Sequence, residues 1–381
     1  MIRTSAPLDE RGLDWIVGGI EEAIVLSSRV RVARNLQGFP FPGRAGADER
    51  SEVLERVRTA AEHADSLRSA CIWEVDSLDR VDREILVERH LISRDLLGDG
   101  SSPSRGALIL ADETSCGVMV NEEDHLRLQA LVGGLELDAA WRQVDRLDEE
   151  LGTLLPLAYH HQFGYLTACP TNVGTGLRAS VLIHIPGLVL TKEISKVLEG
   201  ISQVGLTYRG LYGEGSEVIG NFFQISNQTT LGKTEEDLID HLARVTGKVI
   251  EYERSARSVL LREAPAVLED KVWRAYGILR TARSLALEEM MNLLSGVRLG
   301  VSLKLLKSPR VETLNEILVR GQVAHLEREA GGRMNEHEAD VCRASFVRDK
   351  LASDERAASE SGRAAGSSDT TVADGPPSGG G

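Results

Sequence analysis

Cysteine is scarce in this chain of 381 residues, with Cys71, Cys116, Cys169 and Cys342 the only four. They are scattered and form no Cys-x-x-Cys pair, so the spacing gives a zinc or other metal site no support. Long apolar runs are lacking as well, and no stretch approaches the roughly 20 residues that a helix needs to cross a bilayer. Between Met1 and Gly19, Arg3, Asp9, Glu10, Arg11 and Asp14 interrupt every apolar run, so no signal peptide is expected. Positive charge is in deficit. Lys and Arg number 44 against 58 Asp and Glu, a formal net charge of −14. That balance argues against nonspecific binding to nucleic acid or an anionic membrane, although it leaves room for a local basic pocket. Together these absences predict free thiols in a reducing cytoplasm.

What is present is the composition of an ordinary globular protein, 42% hydrophobic and 27% charged, long enough for a large core in two domains. The densest stretch is Asn121-Glu122-Glu123-Asp124-His125-Leu126-Arg127, directly behind the apolar run Gly117-Val118-Met119-Val120. The run reads as a buried strand, which puts the acids at its carboxyl end, where ligands of α/β sheets gather. Adjacent carboxylates there suit a cation or a proton, and Arg127 suits an anion; a solvated acidic turn is the plainer alternative.

A second stretch, Ser27-Ser28-Arg29-Val30-Arg31-Val32, alternates. Period-2 geometry sets Arg29 and Arg31 on one face and Val30 and Val32 on the other. Two such guanidinium groups are either solvated or hold an anion between them, and their planar donors match phosphate. A third stretch, Cys169-Pro170-Thr171-Asn172-Val173-Gly174-Thr175-Gly176-Leu177-Arg178-Ala179-Ser180, leads into a strand over 181–185. Its glycines would let the backbone approach a ligand closely, yet it is neither a P-loop nor a dinucleotide fingerprint. The loop Arg209-Gly210-Leu211-Tyr212-Gly213-Glu214-Gly215-Ser216-Glu217 is either a flexible hairpin tip or a segment that folds over a substrate.

Helical spacing predicts helices over 48 to about 67, 137–151 and 192–204. Short strands are expected at 73–75, 84–87, 107–110 and 117–120, the last two as a hairpin. His90, after the second of these, reads as a hydrogen-bonded structural residue. Thr234 and Asp237 make an approximate capping box for a long helix ending near Arg262. Beyond Pro265 the pattern is helix only, and Ser308-Pro309 is expected to cap a helix carrying Leu314, Ile317 and Leu318. From about Ser353 the chain is rich in Ser, Ala, Gly, Asp and Pro, and disorder is expected. The domain reading is therefore 13–260, 261–350 and a tail over 351–381.

Collected, Arg29, Arg31, Arg127, Arg178 and Arg209 fit a triphosphate, and the acids Glu122, Glu123 and Glu214 fit a cationic acceptor. The first three stretches resemble the signature blocks of the guanidino (phosphagen) kinases. Arg274-Ala275-Tyr276-Gly277-Ile278-Leu279 and Ser295-Gly296-Val297-Arg298-Leu299-Gly300 resemble the helical C-terminal domain of the McsB-type bacterial protein arginine kinases. The resemblance covers about residues 13–350.

It implies an α/β (α+β) catalytic domain with a mainly antiparallel sheet flanked by helices, followed by an all-helical domain for dimerisation and phosphoarginine binding. The implied reaction moves the γ-phosphoryl group of ATP, with Mg²⁺, to arginine side chains of proteins; a kinase of free arginine or another small guanidine is the alternative. Glu123 and Glu214 would be the catalytic carboxylates, with Glu122 and Cys169 in support. Nucleotide would be held by Ser27, Ser28, Arg29, Val30 and Arg31, by His90 and Arg127, by Arg178, Ala179, Ser180, Val181 and Leu182, and by Arg209, Gly210, Leu211, Tyr212, Gly213 and Glu214. The chemistry is consistent, because a guanidinium becomes nucleophilic only against a carboxylate that takes its proton.

The small-molecule kinases of the family carry an N-terminal helical domain that helps enclose the substrate. Here the Ser-Ser-Arg-Val-Arg block begins at residue 27, so an uncovered site that admits protein-borne arginine is expected. The implied partners are protein substrates, an activator protein, a Clp-type protease and a second copy of the chain, with neither nucleic acid nor membrane. The chain departs from the family at one motif. Where Arg-Asp-x-x-Arg-Ala is associated with phosphoarginine binding, it reads Ala339-Asp340-Val341-Cys342-Arg343-Ala344, so Asp340, Arg343 and Ala344 remain and weaker binding is expected.

Overall fold

The computed structural model describes residues 3–4, 8, 11–98, 104–112, 114–210 and 219–366, with the backbone alone at 3–4 and 358–366. Its strands in chain order are β1 (Arg3–Thr4), β2 (Val25–Arg34), β3 (Cys71–Glu74), β4 (Ala107–Leu110), β5 (Cys116–Val120), β6 (Leu126–Gly133), β7 (Tyr159–His160), β8 (Gly164–Tyr165), β9 (Leu177–His184), β10 (Leu206–Gly210) and β11 (Phe222–Asn227). All but β7 and β8, a separate small hairpin, form one sheet in the order β1-β3-β4-β5-β6-β2-β9-β11-β10. Every pairing in that sheet is antiparallel except β1 with β3.

The alternation read in β2 sets the two faces of the sheet. Val30 and Val32 are fully buried on the face covered by α1 (Ala47–His63), α3 (Leu137–Leu154) and α6 (Glu235–Glu263). There they share a core with Leu128, Ala130, Ala179 and Val181 of the neighbouring strands and with Val57, Val144 and Leu242 of the helices. The capping box of α6 forms, with Asp237 N donating to Thr234 Oγ1 at 3.1 Å and Thr234 N donating to Asp237 Oδ2 at 3.4 Å.

The C-terminal part of the chain is helical throughout: α7 (Pro265–Thr281), α8 (Leu287–Ser302), α9 (Val311–Arg320), α10 (Val323–Ala330) and α11 (Glu336–Gly366). Its apolar residues do not close on themselves. Val272, Met290, Leu294, Val297 and Ile317 share one cluster with Trp15, Leu26, Leu131, Leu182 and Phe222 of the sheet side.

Three local expectations are corrected. Residues 84–87 are not a strand but part of a helix, α2 (Arg80–Glu88), N-capped by Asp79 Oδ1, which accepts from Asp82 N at 2.7 Å. The adjacent apolar pair Ile85-Leu86 is half of a helical stripe, and Leu86 packs with Trp73, Leu91 and Leu96. Ser308-Pro309 does not cap a helix, since α9 starts at Val311 behind Arg310. Finally, α11 continues past Ser353. Asp354 is buried and accepts from Thr313 Oγ1 at 2.6 Å and from Arg310 N and Nε at 3.0 and 2.9 Å. Residues 367–381 of the expected tail lie outside the described residues.

Candidate active site

Strand register gathers the arginines. Across the sheet Arg31 stands opposite Arg178 of β9 and Gln129 of β6, Arg29 opposite Ser180 and Leu131, and Ala33 opposite Arg127. Gln224 links the row of Leu182 and Ser27 to Arg209 of β10. Directly opposed residues share a face. Arg29, Arg31, Arg127, Arg178 and Arg209 therefore lie on one face, the one opposite Val30 and Val32.

Like charges this close oppose each other. Burial and then the Arg178 and Arg127 charges lower the Arg29 guanidinium from its usual value to about 10. Burial, with Arg29, Arg127 and Arg178, holds Arg31 well below its usual value. Arg31 Nε is buried with no hydrogen-bond partner among the described residues. An orphaned donor amid mutually repelling guanidinium groups fits a polyanion. Below this face a small cavity is lined by Ser27, Arg29, His90, Leu131, Ser180, Leu182 and Gln224. Burial and Arg29 push the His90 imidazole down to about 4, so it stays neutral beside the arginines. Its ring stands edge-on to Trp15 at 5.7 Å.

The same alternation divides the residues expected at the nucleotide between the two faces of the sheet. Val30, Ala179 and Val181 are fully buried in the core of the other face. Ser28 faces that way too, with its Oγ donating to Gly134 O and accepting from Glu136 N, both at 2.9 Å. These residues hold the strands together, and their odd-even neighbours face the cavity. Gly210 ends β10. Leu211, Tyr212, Gly213 and Glu214 lie outside the described residues.

The acidic stretch is the tight turn from β5 to β6, with Asn121 in the left-handed region at φ 58°. Asp124 and His125 build it. Asp124 Oδ1 accepts from Asn35 Nδ2 and from Ala168 N, each at 2.6 Å, while its Oδ2 is buried without a partner among the described residues. Leu36 N donates to His125 Nδ1 at 3.0 Å, which leaves Nε2–H to donate to Pro40 O at 3.0 Å. Burial, the largest effect, lowers the His125 pKa, in keeping with a neutral ring.

The Ala168 bond brings Cys169 beside the turn. Its Sγ lies 3.0 Å from Thr171 Oγ1. Gly174 and Gly176 do approach a backbone closely, but it is the protein's own. A Cβ at Gly174 would lie 2.4 Å from Thr230 O, and one at Gly176 2.6 Å from Ala33 O.

The two glutamates differ. Glu122 has a fully buried side chain paired with Arg127 Nη1 at 2.5 Å. It also accepts from Ser93 Oγ and, at 3.0 Å, from Glu123 N. Glu123 keeps 42% of its side chain exposed and meets Arg127 Nη2 at 3.0 Å. Burial raises its pKa against the opposing pull of Arg127, and Asp124, Glu122 and Asp95 raise it further. Arg127 thus joins the acidic turn to the arginine face. Ser93 and Gln224 carried no motif; only the register and the fold reveal them.

The model of the ATP:guanido phosphotransferase C-terminal catalytic domain matches residues 52–256, more than half of the chain. The chain belongs to the ATP:guanido phosphotransferase family. Within the family its C-terminal helices match the model of the McsB protein-arginine kinase C-terminal domain over residues 265–362. A protein-arginine kinase of Moorella thermoacetica is 46% identical, covering 90% of this chain and 98% of its own. One of Halothermothrix orenii is 45% identical over 88% and 96%. Among solved structures, a lombricine kinase superposes with a TM-score of 0.56 at 24% identity, over 68% of this chain and 73% of that one. A duplicated taurocyamine kinase of Schistosoma mansoni gives 0.57 at 24% identity, over 71% and 40%. At that identity the two structures speak for the phosphotransferase fold alone.

In the helical domain, Arg343 is buried and donates Nε to Gly321 O at 2.8 Å and Nη1 to Leu285 O at 2.7 Å and Asp340 Oδ1 at 2.6 Å. Ala344 is fully buried. Most of the Arg343 donors are thus engaged with the chain itself, which adds to the loss of the first arginine at Ala339.

Proposed function

We propose that this protein-arginine kinase transfers the γ-phosphoryl group of ATP to arginine side chains of proteins, with Glu123 as the carboxylate that takes the proton. The observation that carries the assignment is the position of Arg127, which holds the half-exposed Glu123 beside the crowded arginine face. Arg29, Arg31, Arg178 and Arg209 would bind the phosphates. As the guanidinium nitrogen forms its bond to phosphorus, its proton passes to Glu123 Oε and the bond to the leaving ADP oxygen breaks.

The fixed guanidinium groups stabilise the transferred charge without reorganising. Glu122, with its oxygens engaged, positions Arg127 and the turn. Glu214 would hold the other side of the substrate guanidinium, and Cys169, tied to the turn through Ala168, would tune the substrate side. Among the described residues no group of three or more His, Cys, Asp or Glu is arranged to hold a metal. A Mg²⁺ would therefore arrive on the nucleotide phosphates, as that ion commonly does.

Further readings follow from the family. The kinase would mark proteins for a stress response or a Clp-type protease in the cytoplasm, with an activator protein. It would pair as a dimer through the helical domain, where Trp273 is 54% exposed. Phosphoarginine binding at Asp340 and Arg343 would be weak. Among the described residues no helix is long and apolar enough to cross a membrane.

The test incubates the protein with Mg²⁺-ATP and either casein or free arginine. Mass spectrometry at neutral to basic pH then reads the acid-labile phosphoramidate. Phosphate on casein arginine is expected; phosphate on free arginine alone would assign the small-guanidine activity instead.

A further inference from the structure

Beside the apolar cluster that the helical domain shares with the sheet, its helix α8 reaches the point where the chain enters β11. Gly220 and Asn221 both adopt left-handed backbone, at φ 66° and 58°. A Cβ at 220 would come within 2.9 Å of Met291 O in α8, so only glycine fits. Glycine adopts this backbone freely, whereas a left-handed asparagine is costly unless its surroundings hold it.

Helix α8 supplies the holding groups from one of its faces, three residues apart. Asn292 Oδ1 accepts from Gly220 N at 2.9 Å. Ser295 Oγ accepts from Asn221 Nδ2 at 2.8 Å and also meets His184 Nε2 at 2.8 Å. The Asn221 carbonyl accepts from Ile185 N at 3.1 Å. The His184 ring lies 4.8 Å from that of Phe222, its partner across β9 and β11.

Two residues beyond Phe222 stands Gln224. Its Nε2 donates to Ser180 Oγ at 2.7 Å, it lines the cavity beneath the arginine face, and it faces Arg209 across β10. The segment carrying Glu214 ends, in sequence, at the same anchor.

We propose that Asn292 and Ser295 are positioning residues for phosphoryl transfer: from α8 they fix the backbone at 220–221 and so the strand end that presents Gln224 and Arg209 to the nucleotide. The helical domain thereby acts on turnover through two hydrogen bonds. The inference rests on the protein-arginine kinase reading.

The full-length protein carries the test in two pairs of variants. Asn292→Leu removes the acceptor for Gly220 N, and Asn292→Asp keeps it. Ser295→Ala removes the hydroxyl, and Ser295→Thr keeps it. One lost hydrogen bond corresponds to roughly a tenfold drop in kcat. That drop is expected for Asn292→Leu and Ser295→Ala, with recovery to within about threefold in Asn292→Asp and Ser295→Thr. Amide exchange over residues 222–225 is expected to quicken in the first pair only.

Unchanged turnover in folded Asn292→Leu and Ser295→Ala overturns the proposal, as does an equal loss in both members of each pair. If Asn292→Leu fails to fold, the serine pair decides. If the unaltered protein phosphorylates neither protein nor free arginine, the functional reading fails. The exchange measurement then decides the anchor alone: quickening in the first pair supports it, and no change overturns it.

Discussion

Glu122 and Glu123 are chain neighbours with opposite circumstances, the first wholly buried among Ser93, Arg127 and a backbone amide, the second open to an incoming side chain. Replacing Glu123 by Gln is expected to lower kcat by about a hundredfold or more, the usual scale for a lost general base, with little change in melting temperature. Glu122→Gln should cost both activity and stability. Because the Glu123 carboxyl is raised from its ordinary value, the proposed base is lost as pH falls through a value above that ordinary one. The acid limb of the rate profile should start correspondingly early, and Glu123→Gln should flatten it.

His90 carries a second pH prediction. Its folded value is depressed to about 4, while the unfolded chain takes up a proton near 6.5. Its contribution is thus present above pH 6.5 and is lost as pH falls toward 4. Urea unfolding across that window should have a shallower pH slope in His90→Gln.

At the scale of elements, β2 was legible because its alternation is strict. The capping box at Thr234 announced α6 for a similar reason, a local rule with one geometry. Residues 84–87 were not legible, since four residues of a nine-residue helix show too little of its period. The glycines at 174 and 176 were legible as a close approach but not as to what approaches, because Thr230 and Ala33 arrive from distant parts of the chain. Gly174→Ala forces a side chain at φ 113° onto the Thr230 carbonyl. A loss of about 2–4 kcal/mol is expected in urea unfolding, with activity falling because the Cys169 loop shifts. Unchanged stability in that variant would contradict the account.

At the scale of the whole molecule, one apolar cluster crosses the division near residue 260. Trp15, Leu131, Leu182 and Phe222 share a single cluster with Val272, Met290 and Ile317. The isolated segment 13–260 would expose that surface. It is expected to aggregate or to lack a cooperative melting transition, and the full chain is expected to melt in one step by calorimetry. Two independent transitions would refute this. Sequence gave no hint of the sharing, because an apolar stripe does not name its partner. The site itself is equally non-local, with arginines between positions 29 and 209 united only when β6, β2, β9, β11 and β10 are all in register. For β2, paired on both sides, this has a genetic corollary. Single substitutions there should range from mild to severe, but any insertion or deletion of one residue turns its downstream arginines toward the helices and its valines toward the nucleotide. The reading frame of the fold, as much as of the gene, is fixed in β2.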